Sequence, residues 1–152
     1  MTTMVRLQVA VDTPQHAGLS GALDYLSEHP LSPGTLVRAP LGRRDLLGIV
    51  WSQGAGALPE SELRPLSAVF GELPPLDDAW RALVDFASGY YQRGLGELAL
   101  AVLPPELHKL DGSQLAARLR KLHKAMAKPP DTVADTAPAP SEAQSAVLDQ
   151  LA

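Results

Sequence analysis

The fold is decided by the stretch Pro33-Gly34-Thr35-Leu36-Val37-Arg38-Ala39-Pro40-Leu41-Gly42-Arg43-Arg44-Asp45-Leu46-Leu47-Gly48-Ile49-Val50-Trp51. Pro33-Gly34 is a turn signal, because proline presets φ and glycine supplies φ > 0. Thr35 to Ala39 and Leu46 to Ser52 read as the arms of a hairpin joined across Leu41 to Asp45. Pro40 ends the first arm in this reading, since it has no N–H to give to a ladder. Arg38, Arg43 and Arg44 crowd the centre of the stretch.

Upstream, Val5, Leu7, Val9 and Val11 alternate with Arg6, Gln8 and Ala10, the period of a strand over Met4 to Val11. Asp12 to Gly21 is loop-like, and Ala22 to Leu26 is a second short strand. Downstream, Gly54 to Pro59 is a glycine-rich loop. Arg64 to Phe70 is a last strand, confined to an edge by Pro65. From Leu76 the period changes. Trp80, Leu83, Val84, Ala87, Tyr90 and Tyr91 share one helical stripe, with Asp77 as N-cap and Gly94 as the stop. Leu95, Leu98, Ala99 and Val102 make a shorter helix ended by Pro104-Pro105. Ser113 to Lys128 is a third helix, with Leu115, Leu119, Leu122 and Met126 in line.

The expected class is therefore α+β: a small antiparallel, β-barrel-like sheet of the OB or SH3 kind, then two packed helices. A basic helix and a flexible proline-rich tail follow. The expected domains are 1–105 for the sheet and its helices, 106–128 for the basic helical segment, and 129–140 for a disordered linker with almost nothing to bury. Residues 141–152 open a new helix carrying Val147, Leu148 and Leu151. An apolar stripe there without a partner gives the expectation that the chain continues past Ala152.

Composition narrows the function. With no cysteine there is neither a disulfide framework nor a cysteine zinc site. No apolar run approaches the roughly 20 residues of a membrane span. The N-terminus lacks the basic and apolar regions of a signal peptide, so the cytoplasm is expected. Residues 1–105 carry seven basic and eleven acidic side chains, a net −4; residues 106–128 are +4 and residues 129–152 are −4. That balance predicts no broad DNA-coating surface, but it permits a small pocket with a few placed cations. Phosphate-loop, His-Glu-x-x-His and Gly-x-Ser-x-Gly signatures are absent, and His16, His29, His108 and His123 lack ligand spacing. No metal or cofactor is expected in this chain.

Two features remain. The arginine-bearing turn reads either as a solvated hairpin tip or as an anion-facing turn. In the second reading Gly42 admits a ligand to the backbone and an arginine grips a phosphate. Asp24, between Leu23 and Tyr25, is either a surface residue on an edge strand or a ligand contact. A carboxylate is a poor neighbour for a phosphate chain. It suits a base edge or a terminal 3′-hydroxyl, both of which donate.

These residues carry a resemblance. Asp24-Tyr25-Leu26, Pro33-Gly34, Val37-Arg38-Ala39-Pro40-Leu41-Gly42 and Gly48-Ile49-Val50 form one landmark. Leu58-Pro59 with Glu62-Leu63-Arg64 form a second, and Tyr90-Tyr91, Leu95-Gly96-Glu97-Leu98 and Leu103-Pro104-Pro105 a third. In this order the chain resembles the N-terminal part of the primosomal protein N′ family, the PriA replication-restart helicases. The resemblance implies a noncatalytic domain that holds the 3′-terminal nucleotide of the nascent leading strand at a stalled fork.

Carried over by position, Asp24 would contact the terminal base, with Leu23 and Tyr25 beside it. Gly42 would line the pocket through its backbone, and Arg43 and Arg64 would supply cations. Arg38, Arg44, Lys121 and Lys124 are auxiliary DNA contacts. ATP, magnesium and zinc would belong to domains downstream. The implied partners are fork DNA with a free 3′-OH, single-stranded-DNA-binding protein and other primosome proteins, with no membrane, in a bacterial cytoplasm at the nucleoid. The family often has an aromatic where this chain has Leu23, and a shorter loop at Asp12 to Gly21. Residues 106–140 are too few for the winged helix the family can place there, which makes the basic segment a reduced remnant. The rival expectations are a β-barrel adaptor for protein partners and a structural cap with no nucleotide ligand.

Overall fold

The computed structural model describes residues 4–13, 21–54, 56 and 58–127. Five strands, β1 (Val5–Val11), β2 (Leu23–Ser27), β3 (Leu36–Leu41), β4 (Arg44–Gln53) and β5 (Ala68–Val69), pair antiparallel in the order β2-β1-β4-β3-β5. The two outer edges turn towards each other. Leu26 bridges Pro65, its N–H donates to the Arg64 carbonyl at 3.0 Å, and its carbonyl accepts from the Leu66 N–H at 2.9 Å. The sheet is thus a curled half-barrel, as the α+β reading requires. Inward-facing Leu7, Val9 and Val11 of β1 meet Tyr25, Val37, Ala39 and Val50 in its interior. The period-two alternation of β1 is what sends these side chains to one face. Burying each such side chain contributes roughly 1.5–3 kcal/mol.

The helices are α1 (Asp78–Tyr91), α2 (Leu95–Ala101) and α3 (Gly112–Ala127). Asp77 caps α1, its carboxylate accepting from the Trp80 N–H at 2.9 Å. α2 lies against β1 and β4, where Ala10 and Ile49, a cross-strand pair outside the interior cluster, are fully buried. Gly34 (φ +92) sits where a side chain would overlap the Leu76 backbone. Its N–H donates to the Val50 carbonyl and its carbonyl accepts from the Leu76 N–H. The described residues divide into two units at Arg118/Leu119, and α3 begins in the first and ends in the second.

Several local expectations are corrected. The hairpin connection is two residues, Gly42-Arg43, with Leu41 paired to Arg44, rather than the span from Leu41 to Asp45. Pro40 lies inside β3, opposite Asp45. The register explains why it is tolerated. Arg38 and Leu36 turn their carbonyls towards the segment of β5. Pro40, two residues on, faces the same side, beyond the end of that two-residue strand, so no ladder bond is lost. The last strand is only Ala68–Val69, because Arg64 to Leu66 pairs with β2 instead.

Of the stripe expected to pack α1, Leu83, Tyr90 and Tyr91 are exposed, as is Phe86 beside it. The helix is rotated so that its Trp80–Asp85 face meets Trp51. The Trp51 indole N–H donates to Asp85 at 2.9 Å, Arg81 donates to the Trp51 carbonyl at 3.0 Å, and Val84 is the buried residue of the helix. Gln92, in the left-handed region at φ 52, ends α1, and Gly94 instead opens α2. α2 buries Leu95, Gly96, Ala99 and Leu100, leaving Val102 exposed. α3 starts one residue earlier than the pattern suggests. Asp111 accepts from the Gln114 N–H at 2.8 Å while Gln114 accepts from the Asp111 N–H, a reciprocal capping box. Hydrogen bonds from the Gln114 N–H and then the Ser113 hydroxyl hold the Asp111 carboxyl below its usual value. Leu115 is buried, whereas Leu122 and Met126 are exposed. The 129–140 linker, the 141–152 helix and His16 lie outside the described residues.

Candidate nucleic-acid interface

The hairpin tip collects side chains from three segments. Gly42 has φ +62 and Arg43 has a negative φ, the pattern of a type II′ turn, whose twist suits the flanking strands. Nothing lies within 4 Å of where a Gly42 side chain would stand, so the backbone is open to a ligand. Arg64 arrives from the chain that follows a single 3₁₀ turn at Glu60–Glu62. Its Nη1 donates to the Gly42 carbonyl at 2.9 Å. From the interior, Tyr25 of β2 donates its hydroxyl to the Pro40 carbonyl at 3.1 Å. Arg43 and Arg44 are exposed, and neither makes an ion pair or side-chain hydrogen bond among the described residues. Three guanidiniums thus stand at or beside an open glycine turn, with Asp45 as the nearby acid. Such an arrangement can bind an anion through backbone N–H groups and bidentate arginine contacts.

Tyr25 anchors this tip from within. Burial pushes its hydroxyl pKa up; Arg64 lowers it and Asp45 raises it. A raised folded-state value favours the neutral phenol, so its contribution to stability is fully present below the unfolded value and fades as pH rises through the folded one. The domain is expected to lose stability above pH ~10, and Tyr25→Phe to flatten that alkaline slope. At neutral pH the same variant is expected to cost about 1 kcal/mol, the worth of the Pro40 hydrogen bond. Urea midpoints of both proteins across that range provide the check.

Asp24 makes no hydrogen bond or ion pair with Gly42, Arg43 or Arg64 among the described residues. Tyr25 pairs with Leu7 and points inward, so Asp24, paired with Gln8, points outward. There its carboxylate faces Arg6 at 3.8 Å and the backbone of Gly56. Leu23 and Tyr25 both turn to the interior, Leu23 half-buried against the core and Tyr25 buried within it. Arg6 and Gly56 form the Asp24 environment and were not legible in the sequence. The one available signal is that Arg6 falls on the outward face of β1, two residues from Gln8, the cross-strand partner of Asp24.

Arg38 is turned into the fold rather than out to solvent. It is buried, and its guanidinium is spent on backbone carbonyls: Asp45 at 3.1 Å, His108 at 2.8 Å, Leu110 at 2.7 Å and Leu107 at 3.4 Å. A fork of five donors in the middle of β3 secures the chain after α2. Lys121 and Lys124 are exposed on the part of α3 in the second unit. Among the described residues no cluster of His, Asp and Glu could hold a metal ion, and no helix is long and apolar enough to cross a membrane.

A curled half-barrel with an open, arginine-flanked glycine turn defines a compact nucleic-acid-binding module. The chain matches the model of the 3′DNA-binding domain (3′BD) of PriA over residues 8–104, and it belongs to that family. The match begins within β1, takes in the rest of the half-barrel with the hairpin tip, α1 and α2, and stops before α3. The domain is therefore a DNA-binding module of the PriA type, directed to 3′ ends.

Proposed function

We propose that the domain recognises the 3′-terminal nucleotide of the nascent leading strand at a stalled replication fork. The observation that carries this reading is the convergence of Arg64 on Gly42 at the open turn, within a fold of the 3′-end-binding family. Arg43 and Arg64 neutralise the last phosphate. Gly42 allows close backbone approach. Asp24 reads the end, because a carboxylate tolerates a hydroxyl or an amine but repels a further phosphate. The domain serves a larger replication-restart helicase that supplies ATP, magnesium and zinc chemistry elsewhere. That parent works at the bacterial nucleoid with single-stranded-DNA-binding protein and other primosome proteins.

A labelled single strand ending in 3′-OH is compared with the same strand ending in 3′-phosphate. The 3′-OH strand is expected to bind about tenfold more tightly, since like charges about 4 Å apart repel by ~1–4 kcal/mol. Asp24→Ala should erase the preference and Arg43→Ala should weaken both strands alike. The salt slope should be shallow, about two or so, because few phosphates are touched. Equal binding of the two ends would falsify end recognition. No binding at all would favour the protein-adaptor or structural-cap role.

A further inference from the structure

Two buried polar atoms stand near one another with nothing to bond. Asp24 Oδ1 and Arg6 Nε are both inaccessible, and neither has a hydrogen-bond partner. Nε lies 3.8 Å from the other carboxylate oxygen, Oδ2, within charge attraction but beyond hydrogen-bond length. The remaining nitrogens of the guanidinium are occupied: Nη1 donates to the Gly56 carbonyl at 2.6 Å and Nη2 to the Leu58 carbonyl. The Gly56 backbone packs against Oδ2, where any side chain would overlap the carboxylate. Oδ1 is therefore the oxygen left for a ligand, and Nε–H, 3.8 Å from Oδ2 of the same carboxylate, is the donor left unpaired. The Asp24 side chain is only 9% exposed, so the pair is a desolvated site rather than a surface ion pair.

An orphaned acceptor near an orphaned donor is the complement of a group that both donates and accepts. A hydroxyl does both through one oxygen. A 3′-hydrogen does neither, and a terminal phosphate offers acceptors only. We propose that Arg6 is the specificity partner of Asp24. Its Nε–H donates to the terminal 3′-hydroxyl while Asp24 Oδ1 accepts the hydroxyl's own proton. This rests on the reading of Asp24 as the end-recognition group. Because the atoms are covered in the free domain, engagement exchanges protein cover for ligand and leaves neither group unpaired. The Arg6 charge also offsets that of Asp24, so selectivity comes from hydrogen-bond matching as well as from repulsion.

The test uses the full chain and three single strands identical except for a 3′-OH, a 3′-deoxy or a 3′-phosphate end, with anisotropy as readout. The native chain is expected to prefer 3′-OH over 3′-deoxy by about tenfold or more, the effect of leaving a buried polar pair unmet. Arg6→Met keeps the stem and removes the donor, and should bring those two ends to near parity. Arg6→Lys keeps the charge on the same strand but places no donor at the Nε position, and should also give near parity. Lys additionally covers the case in which the Met variant does not fold. Retention of the hydroxyl preference by the Met variant, or its restoration by Lys, would overturn the Arg6 role. A native chain that separates 3′-OH from 3′-phosphate but not from 3′-deoxy would sink this inference alone. One that separates none of the three would sink end recognition itself.

Discussion

Gly96→Ala is expected to destabilise the domain by about 2–4 kcal/mol, although alanine is the better helix former by about 1 kcal/mol. Gly96 is the second residue of α2, and the helix approaches β1 so closely there that a Cβ would overlap the Val11 carbonyl and crowd the Asp12 nitrogen. Both obstacles are backbone, so no rotamer change can relieve them. The helix must lift from the strand, and with it the seals over Ala10 and Ile49. Gly89 makes the matched comparison. It lies in the last turns of α1 with nothing within 4 Å of its missing side chain. Gly89→Ala is expected to stabilise by up to about 1 kcal/mol from helix propensity alone. Thermal melts of the two variants should move in opposite directions. A Gly96→Ala protein as stable as the native one would show that α2 does not press on β1.

The strands of the half-barrel were legible because one rule governs them. Alternation over Met4 to Val11 and the two arms around Gly42 identify the buried faces directly, and the Pro33-Gly34 turn falls where Gly34 takes φ +92. The pairing of Arg64 to Leu66 with β2 was not legible, since it rests on a long-range closure that no local period encodes. The phase of α1 was missed for a different reason. Aromatic residues occupy two faces of that helix, and only the demand of the Trp51 N–H for an acceptor, met by Asp85, chooses between them. The site divides in the same way. Gly42 and Arg64 were placed together only by the family resemblance, and they do meet. Asp24 and Tyr25 are adjacent in sequence, and that very adjacency sends them to opposite faces of β2. The Arg6 contact depends on register between β1 and β2, which only the fold supplies.

The three arginines of the opening stretch illustrate how far charge alone misleads, and Arg38→Leu is the sharpest test of their division. Arg38 donates to four carbonyls on two chain segments, with Nη1 serving Asp45 and Nη2 serving Leu107, His108 and Leu110. Hydrogen bonds to a charged group are worth about 1.5–3 kcal/mol each and do not add fully. Leucine keeps the bulk but abandons all four acceptors, so a loss of about 3–5 kcal/mol is expected. Lysine carries one ammonium and cannot serve both segments, so Arg38→Lys should recover only part of it. Amide exchange at Leu107 to Leu110 should accelerate in both variants, because those carbonyls hold the chain onto β3. Yet the salt slope for a single strand should stay that of the native domain in the folded Arg38→Lys protein. Arg43→Ala should do the reverse, leaving the melt almost unmoved while flattening the slope by about 0.7, the loss of one phosphate contact. If Arg38→Lys instead flattens the slope, its guanidinium reaches DNA in the complex and the clamp opens on binding. Opposite signatures from residues five positions apart would show that one arginine builds the domain and the other meets its ligand.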